Sequence, residues 1–163
     1  MIKEILQRGD ENLTKRSEEV TDFEVVKGII QDMKDTIAHA KTLYDFTRGI
    51  GLAAPQIGEL VRITIIESEG TEYVLINPRI IKTSEQKVLV WDGCLSFFEF
   101  RANVPRFSGV TVQAQDIEGG KYELEAEGDF AAAIQHEIDH LDGILYISRL
   151  PNGEKDLKKS NKA

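Results

Sequence analysis

The chain has 163 residues, 41% of them apolar and 29% charged, with a formal net charge of −8. That length fits one domain with a real hydrophobic core, and the composition is that of a soluble globular protein. No apolar run approaches the ~18 residues that span a membrane, the negative charge argues against a DNA or RNA binder, and a single cysteine, Cys94, excludes an intramolecular disulfide.

The opening Met1-Ile2-Lys3-Glu4-Ile5-Leu6-Gln7 is charged and too short in apolar length for a signal peptide. The expected location is therefore the cytoplasm, or an organelle interior if a transit segment precedes this sequence. Residues 1–20 read as an irregular arm with an apolar start at Ile2, Ile5 and Leu6. A helix signal follows. Thr21-Asp22-Phe23-Glu24 has the pattern of a capping box with Thr21 as N-cap, and Val20 and Val25 are spaced for a hydrophobic staple. Val26, Ile29, Ile30, Met33, Ile37, Ala40 and Tyr44 recur at helical spacing, which predicts a helix over about 22–42. His39 on it is expected at the surface or half buried.

From residue 45 to 60 the period breaks. Gly49-Ile50-Gly51-Leu52-Ala53-Ala54-Pro55-Gln56-Ile57-Gly58 is small, apolar and punctuated by glycine, so it reads as a connector that lets the backbone approach something closely. It lacks the Gly-Lys-Ser/Thr ending of a phosphate loop. Gln56 stands alone among apolar neighbours and needs a partner if buried. Strands are predicted at Val61–Ile66, at Tyr73–Ile76 (ended by Asn77-Pro78), at Lys87–Trp91, at Val110–Gln115 and at Tyr122–Ala126. Glu118-Gly119-Gly120 joins the last two as a hairpin, and Asp92-Gly93-Cys94-Leu95-Ser96 forms a turn after the third. The segment after Leu150 is polar and lysine-rich, and is expected to be solvated or frayed.

The last predicted helix carries the chemistry. Gly128-Asp129 offers an N-cap, Ala131–Ala133 favour helix, Phe130, Ile134, Ile138 and Leu141 make an apolar stripe, and Gly143 is a stop. On it lies His136-Glu137-Ile138-Asp139-His140, the H-E-x-x-H pattern of metal-dependent hydrolases. At about 100° per residue the two histidines share one face, and Glu137 falls in the same arc, able to reach a water without being a ligand. An ordinary core helix could carry the same five residues, so the rest of the chain must decide. A catalytic site of this kind takes three protein ligands. No histidine follows His140, and Glu154 and Asp156 lie in the polar tail. Cys94 is the better third candidate, as a soft thiolate ligand, although a lone cysteine is ordinarily a small buried apolar residue. The order of elements gives an α+β class: antiparallel β-sheets packed around a central helix carrying H-E-x-x-H, with an N-terminal helix, all in one domain over 1–163 with a polar tail from about 151.

Three stretches together, Gly49 to Gln56, Gly93-Cys94-Leu95-Ser96 and His136 to Gly143, resemble the peptide deformylase family in content and order. The resemblance covers the chain from the early arm to about Leu150. It implies removal of the N-formyl group from nascent polypeptides that begin with formyl-methionine. It implies one divalent ion on Cys94, His136 and His140, with Fe2+ expected and Ni2+, Co2+ or Zn2+ also accepted. Glu137 would act as the acid–base group, and Gln56 and the backbone N–H of Leu95 would donate to the oxyanion. Gly49, Ile50 and Gly51 would pair with the substrate backbone, Arg101 would stand near the channel, and Ile50 and Ala133 would line the methionine pocket.

Two positions depart from the family pattern. Asp92 stands where glutamate is usual, so a pair with Arg106 would need the backbone to adjust. Phe98 stands where proline is usual, within Phe97-Phe98-Glu99-Phe100, where simple packing or a reshaped entrance are both open. Two other functions remain in view. An H-E-x-x-H peptidase cleaving internal bonds would want a downstream third ligand. A non-catalytic module binding nascent chains or the ribosome could use Lys155, Lys158, Lys159 and Lys162.

Overall fold

The computed structural model describes residues 1–46 and 48–160. Helix α1 spans Phe23–Leu43 and α2 spans Gly128–Leu141. Among the described residues there are eight strands, with α2 between the last two: β1 Ile50–Ala53, β2 Ile63–Ser68, β3 Thr71–Thr83, β4 Lys87–Gly93, β5 Phe100–Phe107, β6 Gly109–Gln115, β7 Lys121–Glu127 and β8 Lys158–Lys159. They form two antiparallel sheets, one ordered β1-β2-β3-β6-β7 and the other β4-β5-β8. The α+β class expected from the sequence is the observed one.

α1 starts one residue later than the capping-box reading. Its N-cap is Asp22, whose carboxylate accepts from the backbone N–H of Glu24 and Val25. Asp competes well with Thr at this position because its charge also meets the positive end of the helix. The staple does not form: Val20 is buried but Val25 is exposed. The apolar stripe of α1 packs on β1 and β2, with Val26, Ile30, Met33 and Ile37 against Leu52, Ile63 and Ile65.

β3 does not end at Asn77-Pro78. Asn77 takes a positive φ of 50°, the ladder to β6 shifts register there, and the strand continues to Thr83. The Asn77 side chain bonds the N–H and C=O of Val20 and the Gln115 amide, which ties the early arm to the sheet at this irregularity. The Gly49–Gly58 stretch is not a plain connector either. It supplies the edge strand β1 and then a short 3-10 turn over Ala54–Ile57.

α2 follows β7 directly. Its N-cap is Glu127, with no side-chain capping bond, rather than the Gly128-Asp129 pair. Ten of its residues, Ala131, Ala132 and Ile134 through Leu141, are buried. The helix lies between the five-stranded sheet, through Ile134 and Ile138 in the second core cluster, and the smaller sheet, which supplies Ala102 and Val104 to a third cluster with Phe97 and Tyr146. The polar tail is partly ordered. β8 pairs Lys158 and Lys159 with Arg101 and Phe100, and the Ser160 N–H donates to the Glu99 carbonyl. Lys162 lies outside the described residues.

Candidate metal centre

Three side chains converge from two elements. His136 and His140 sit one turn apart on α2, and Cys94 follows directly on β4. The Nε2 atoms of the histidines are 3.2 Å apart, and Cys94 Sγ is 3.3 Å from His140 Nε2. All three candidate ligand atoms lie within 4.8 Å of one another. Tetrahedral coordination with ordinary metal–nitrogen and metal–sulfur bonds requires donor separations of about 3.3–3.6 Å. The donor set therefore fits a divalent ion in both chemistry and spacing.

The surroundings fix each donor. Asp92 Oδ2 accepts from His136 Nδ1 at 2.9 Å, which orients the ring with Nε2 toward His140 Nε2. Burial disfavours charge on both imidazoles. At His136 the Asp92 carboxylate and Cys94 outweigh burial and hold the group well above its ordinary range. At His140 burial and the neighbouring His136 act together and keep it well below, in the neutral form that ligates. Tyr146 stacks beside His136, 6.0 Å between ring centroids.

Beneath them lies an ionic chain that the sequence did not reveal. Arg106 Nη1 donates to Asp139 Oδ2 at 2.7 Å, and Arg149 grips the same carboxylate through Nε and Nη2 at 3.1 and 2.8 Å. The expected Asp92–Arg106 pair survives only as a 3.5 Å ionic contact, and Arg106 Nε and Nη2 have no hydrogen-bond partner. The Asp92 carboxylate makes its hydrogen bond to His136 instead. Asp139 sits inside the H-E-x-x-H stretch at a position the pattern leaves free, so its ionic role had no sequence signal.

Glu137 is 4% exposed, and its Oε2 lacks a partner. Burial pushes its carboxyl up to about 7, where it can both take and give a proton near neutrality. Gly51 makes room for it: a Cβ there would stand 2.3 Å from Glu137 Oε1. Gln56, 1% exposed, has the partners its burial demands. Its Oε1 accepts from the Ala53 N–H, and its Nε2 donates to Ser96 Oγ at 3.1 Å and points at Cys94 Sγ at 3.7 Å.

A cavity of about 590 Å3 opens over these groups. Gly49, Ile50, Gly51, Gln56, Cys94, Leu95, Arg101, Ala133, His136 and Glu137 all line it, so it gathers every predicted site residue except His140, which lies behind Cys94 and His136. Arg101 lies over Gly93, where a Cβ would crowd its guanidinium. The Leu95 carbonyl accepts from Gln7 Nε2, a contact between the early arm and the Cys94 turn that the sequence did not signal.

Comparison with known proteins bears on this centre. The family model described as polypeptide deformylase matches residues 2–156. The chain is 39% identical to a peptide deformylase of Endomicrobium trichonymphae over 168 aligned residues, covering 98% of this chain and 95% of that protein. It is 43% identical to peptide deformylase 2 of Clostridium perfringens, covering 91% and 92%. The solved peptide deformylase of Thermus thermophilus superposes with a TM-score of 0.84 at 40% identity, over 93% of this chain and 87% of that one. With a cysteine and two histidines at metal-binding distance, and a match of this extent in both sequence and backbone, the chain belongs to the polypeptide deformylase family.

Proposed function

We propose that Cys94, His136 and His140 hold one divalent ion, and that Glu137, Gln56 and the Leu95 N–H act with it in removing the N-formyl group from nascent polypeptides, the activity this chain shares with its family. The observation that carries the reading is the 3.2–3.3 Å convergence of Nε2, Nε2 and Sγ beside a buried, partnerless Glu137 oxygen. When bound, such an ion acidifies a water and polarises the formyl oxygen.

The protein's own groups do the rest. Glu137 takes the proton of the attacking water and delivers it to the departing amine nitrogen. Gln56 Nε2 stands beside Cys94 and donates to the oxygen on which charge develops, with the Leu95 N–H as second donor. β1 is an edge strand, so the backbone groups of the Gly49–Gly51 segment, Ile50 included, that face away from β2 can pair with an extended substrate. Ile50 and Ala133 bound the methionine side chain, and Arg101 stands at the channel wall.

Both sheets and both helices enclose this one centre, which supports a single catalytic domain over 1–163. Fe2+ is the proposed native ion, with Ni2+, Co2+ or Zn2+ able to replace it at a mixed sulfur and nitrogen site. The proposed setting is the cytoplasm, where formylated chains emerge. No helix among the described residues is long and apolar enough to cross a membrane. Lys155, Lys158 and Lys159 are the proposed contacts for the ribosome; DNA is not a proposed partner.

The test is turnover of formyl-Met-Ala-Ser by protein purified anaerobically, with metal measured on the same sample. Turnover near one ion per chain, lost on chelation, restored by metal and absent in Cys94→Ser, is the expected result. Metal-loaded protein that leaves the formyl group in place, or that cuts internal peptide bonds instead, would overturn the reading.

A further inference from the structure

Three rings stand in a row along one side of the cavity. Phe46 packs edge-on against Tyr44 with centroids 6.3 Å apart, and Tyr44 leans on Phe98 at 4.4 Å with the planes tilted by 56°. All three line the same cavity as Cys94 and Glu137. Tyr44 caps the C-terminus of α1, and Phe98 lies in the turn after Ser96, so two distant segments meet in this wall.

The neighbouring Phe97 explains why Phe98 stands there. Phe97 is 3% exposed and packs edge-on against Tyr146, with centroids 5.0 Å apart. It anchors the turn in the third core cluster and leaves the next ring at the cavity, 37% exposed. Neither Tyr44 nor Phe98 belongs to any of the three core clusters. Behind the pair lies a second cavity of about 400 Å3, with Ile2, Ile5 and Leu43 in its wall. The partition is thus thin: Tyr44 and Phe98, with Leu43 and Leu95 beside them, line both cavities. Apolar surface left open in this way gains when a ligand covers it.

The direction of a bound chain follows from β1. Gly51 abuts Glu137, and Gly49 lies two residues back, toward the segment that carries Phe46 and Tyr44. An extended peptide on the free edge advances about 3.3 Å per residue. With its formyl end at Glu137, its second and third residues come alongside Gly49 and the rings. The cavity wall carries charge of both signs, Arg48 and Arg101 against Glu67 and Asp129, so charge selects little there.

We propose that the Tyr44–Phe98 wall is a specificity surface of this deformylase, favouring substrates with an aromatic or large aliphatic side chain at the second or third residue. The inference rests on the deformylase reading above. A substrate ring adds an offset or edge-to-face contact to an array already built for it.

The test compares kcat/KM for formyl-Met-Ala-Ser, formyl-Met-Phe-Ser, formyl-Met-Ala-Phe and formyl-Met-Asp-Ser. At least one phenylalanine peptide should exceed formyl-Met-Ala-Ser by about tenfold, mainly through KM. Phe98→Ala and Tyr44→Ala should each bring that ratio to within about twofold, while Phe98→Leu keeps part of it, at unchanged melting temperature. If Phe98→Ala does not fold, Tyr44→Ala and Phe98→Leu carry the comparison. A wild-type ratio near one for both phenylalanine peptides, or a ratio that survives both alanine substitutions, overturns the proposal while leaving the deformylase reading intact. Turnover of none of the four peptides overturns both.

Discussion

Asp92 Oδ2 lies 2.9 Å from His136 Nδ1 and 3.5 Å from Arg106 Nη2, so the carboxylate is committed to the histidine and only brushes the arginine. Removing its charge should loosen the hold on a bound ion. Asp92→Asn is expected to lower metal affinity about 10–100-fold, measured by competition with a chromophoric chelator. Asp92→Glu extends the carboxylate toward the partnerless Arg106 Nε and Nη2 and should raise the melting temperature. Unchanged affinity in Asp92→Asn would show that the His136 ring is fixed by packing alone.

Gly51 is the space in which the Glu137 carboxylate sits. The added methyl of Gly51→Ala would meet Oε1 at 2.3 Å and Cδ at 2.8 Å, and both belong to the far end of a side chain that can swing aside. The effect should therefore fall on rate rather than on folding. A displacement of about 1 Å at the proton-transfer group costs about 10²-fold in kcat. The melting temperature should stay near wild type, and a large drop in it would refute this division.

Glu137→Gln keeps the shape and removes the proton acceptor. Turnover should fall by about 10²–10⁴-fold, while binding of a formyl peptide, followed by calorimetry on metal-loaded protein, should survive. Loss of binding together with turnover would mean that Glu137 holds the substrate rather than moving its proton.

Asp139 neutralises two arginines at once, one of them buried to 3% side-chain exposure. Asp139→Asn leaves Arg106 charged without its main partner. Breaking such a buried pair typically costs about 3–5 kcal/mol, so urea unfolding should show a loss of that order. A loss below about 1 kcal/mol, the range of an exposed pair, would indicate that water reaches Arg106.

The ligands were legible because H-E-x-x-H sets His136 and His140 on one helix face and Cys94 is the single thiol in the chain. β5 was not legible. Pro105 and Asn103 argue against a strand, and Arg106 faces inward where an apolar residue would keep the alternation of Ala102 and Val104 visible. Arg106 is tolerated there because Asp139 arrives from a helix 33 residues away. The path of β3 through Asn77-Pro78 was hidden for a similar reason, since the unusual backbone at Asn77 is held by bonds to Val20 and Gln115. Tertiary partners also settled the Asp92 geometry: its carboxylate meets His136 Nδ1 at 2.9 Å and Arg106 Nη2 at 3.5 Å, and no pattern in the chain records those distances.

The separation of Cys94 from His140 by 46 residues has a consequence for how the protein matures. A newly formed α2 offers an ion only two imidazoles. The thiolate joins them once β4 has paired with β5 and the smaller sheet has docked on the helix. Tight loading is thus a late event in biogenesis, and ions present during refolding should stabilise the finished protein without accelerating its assembly.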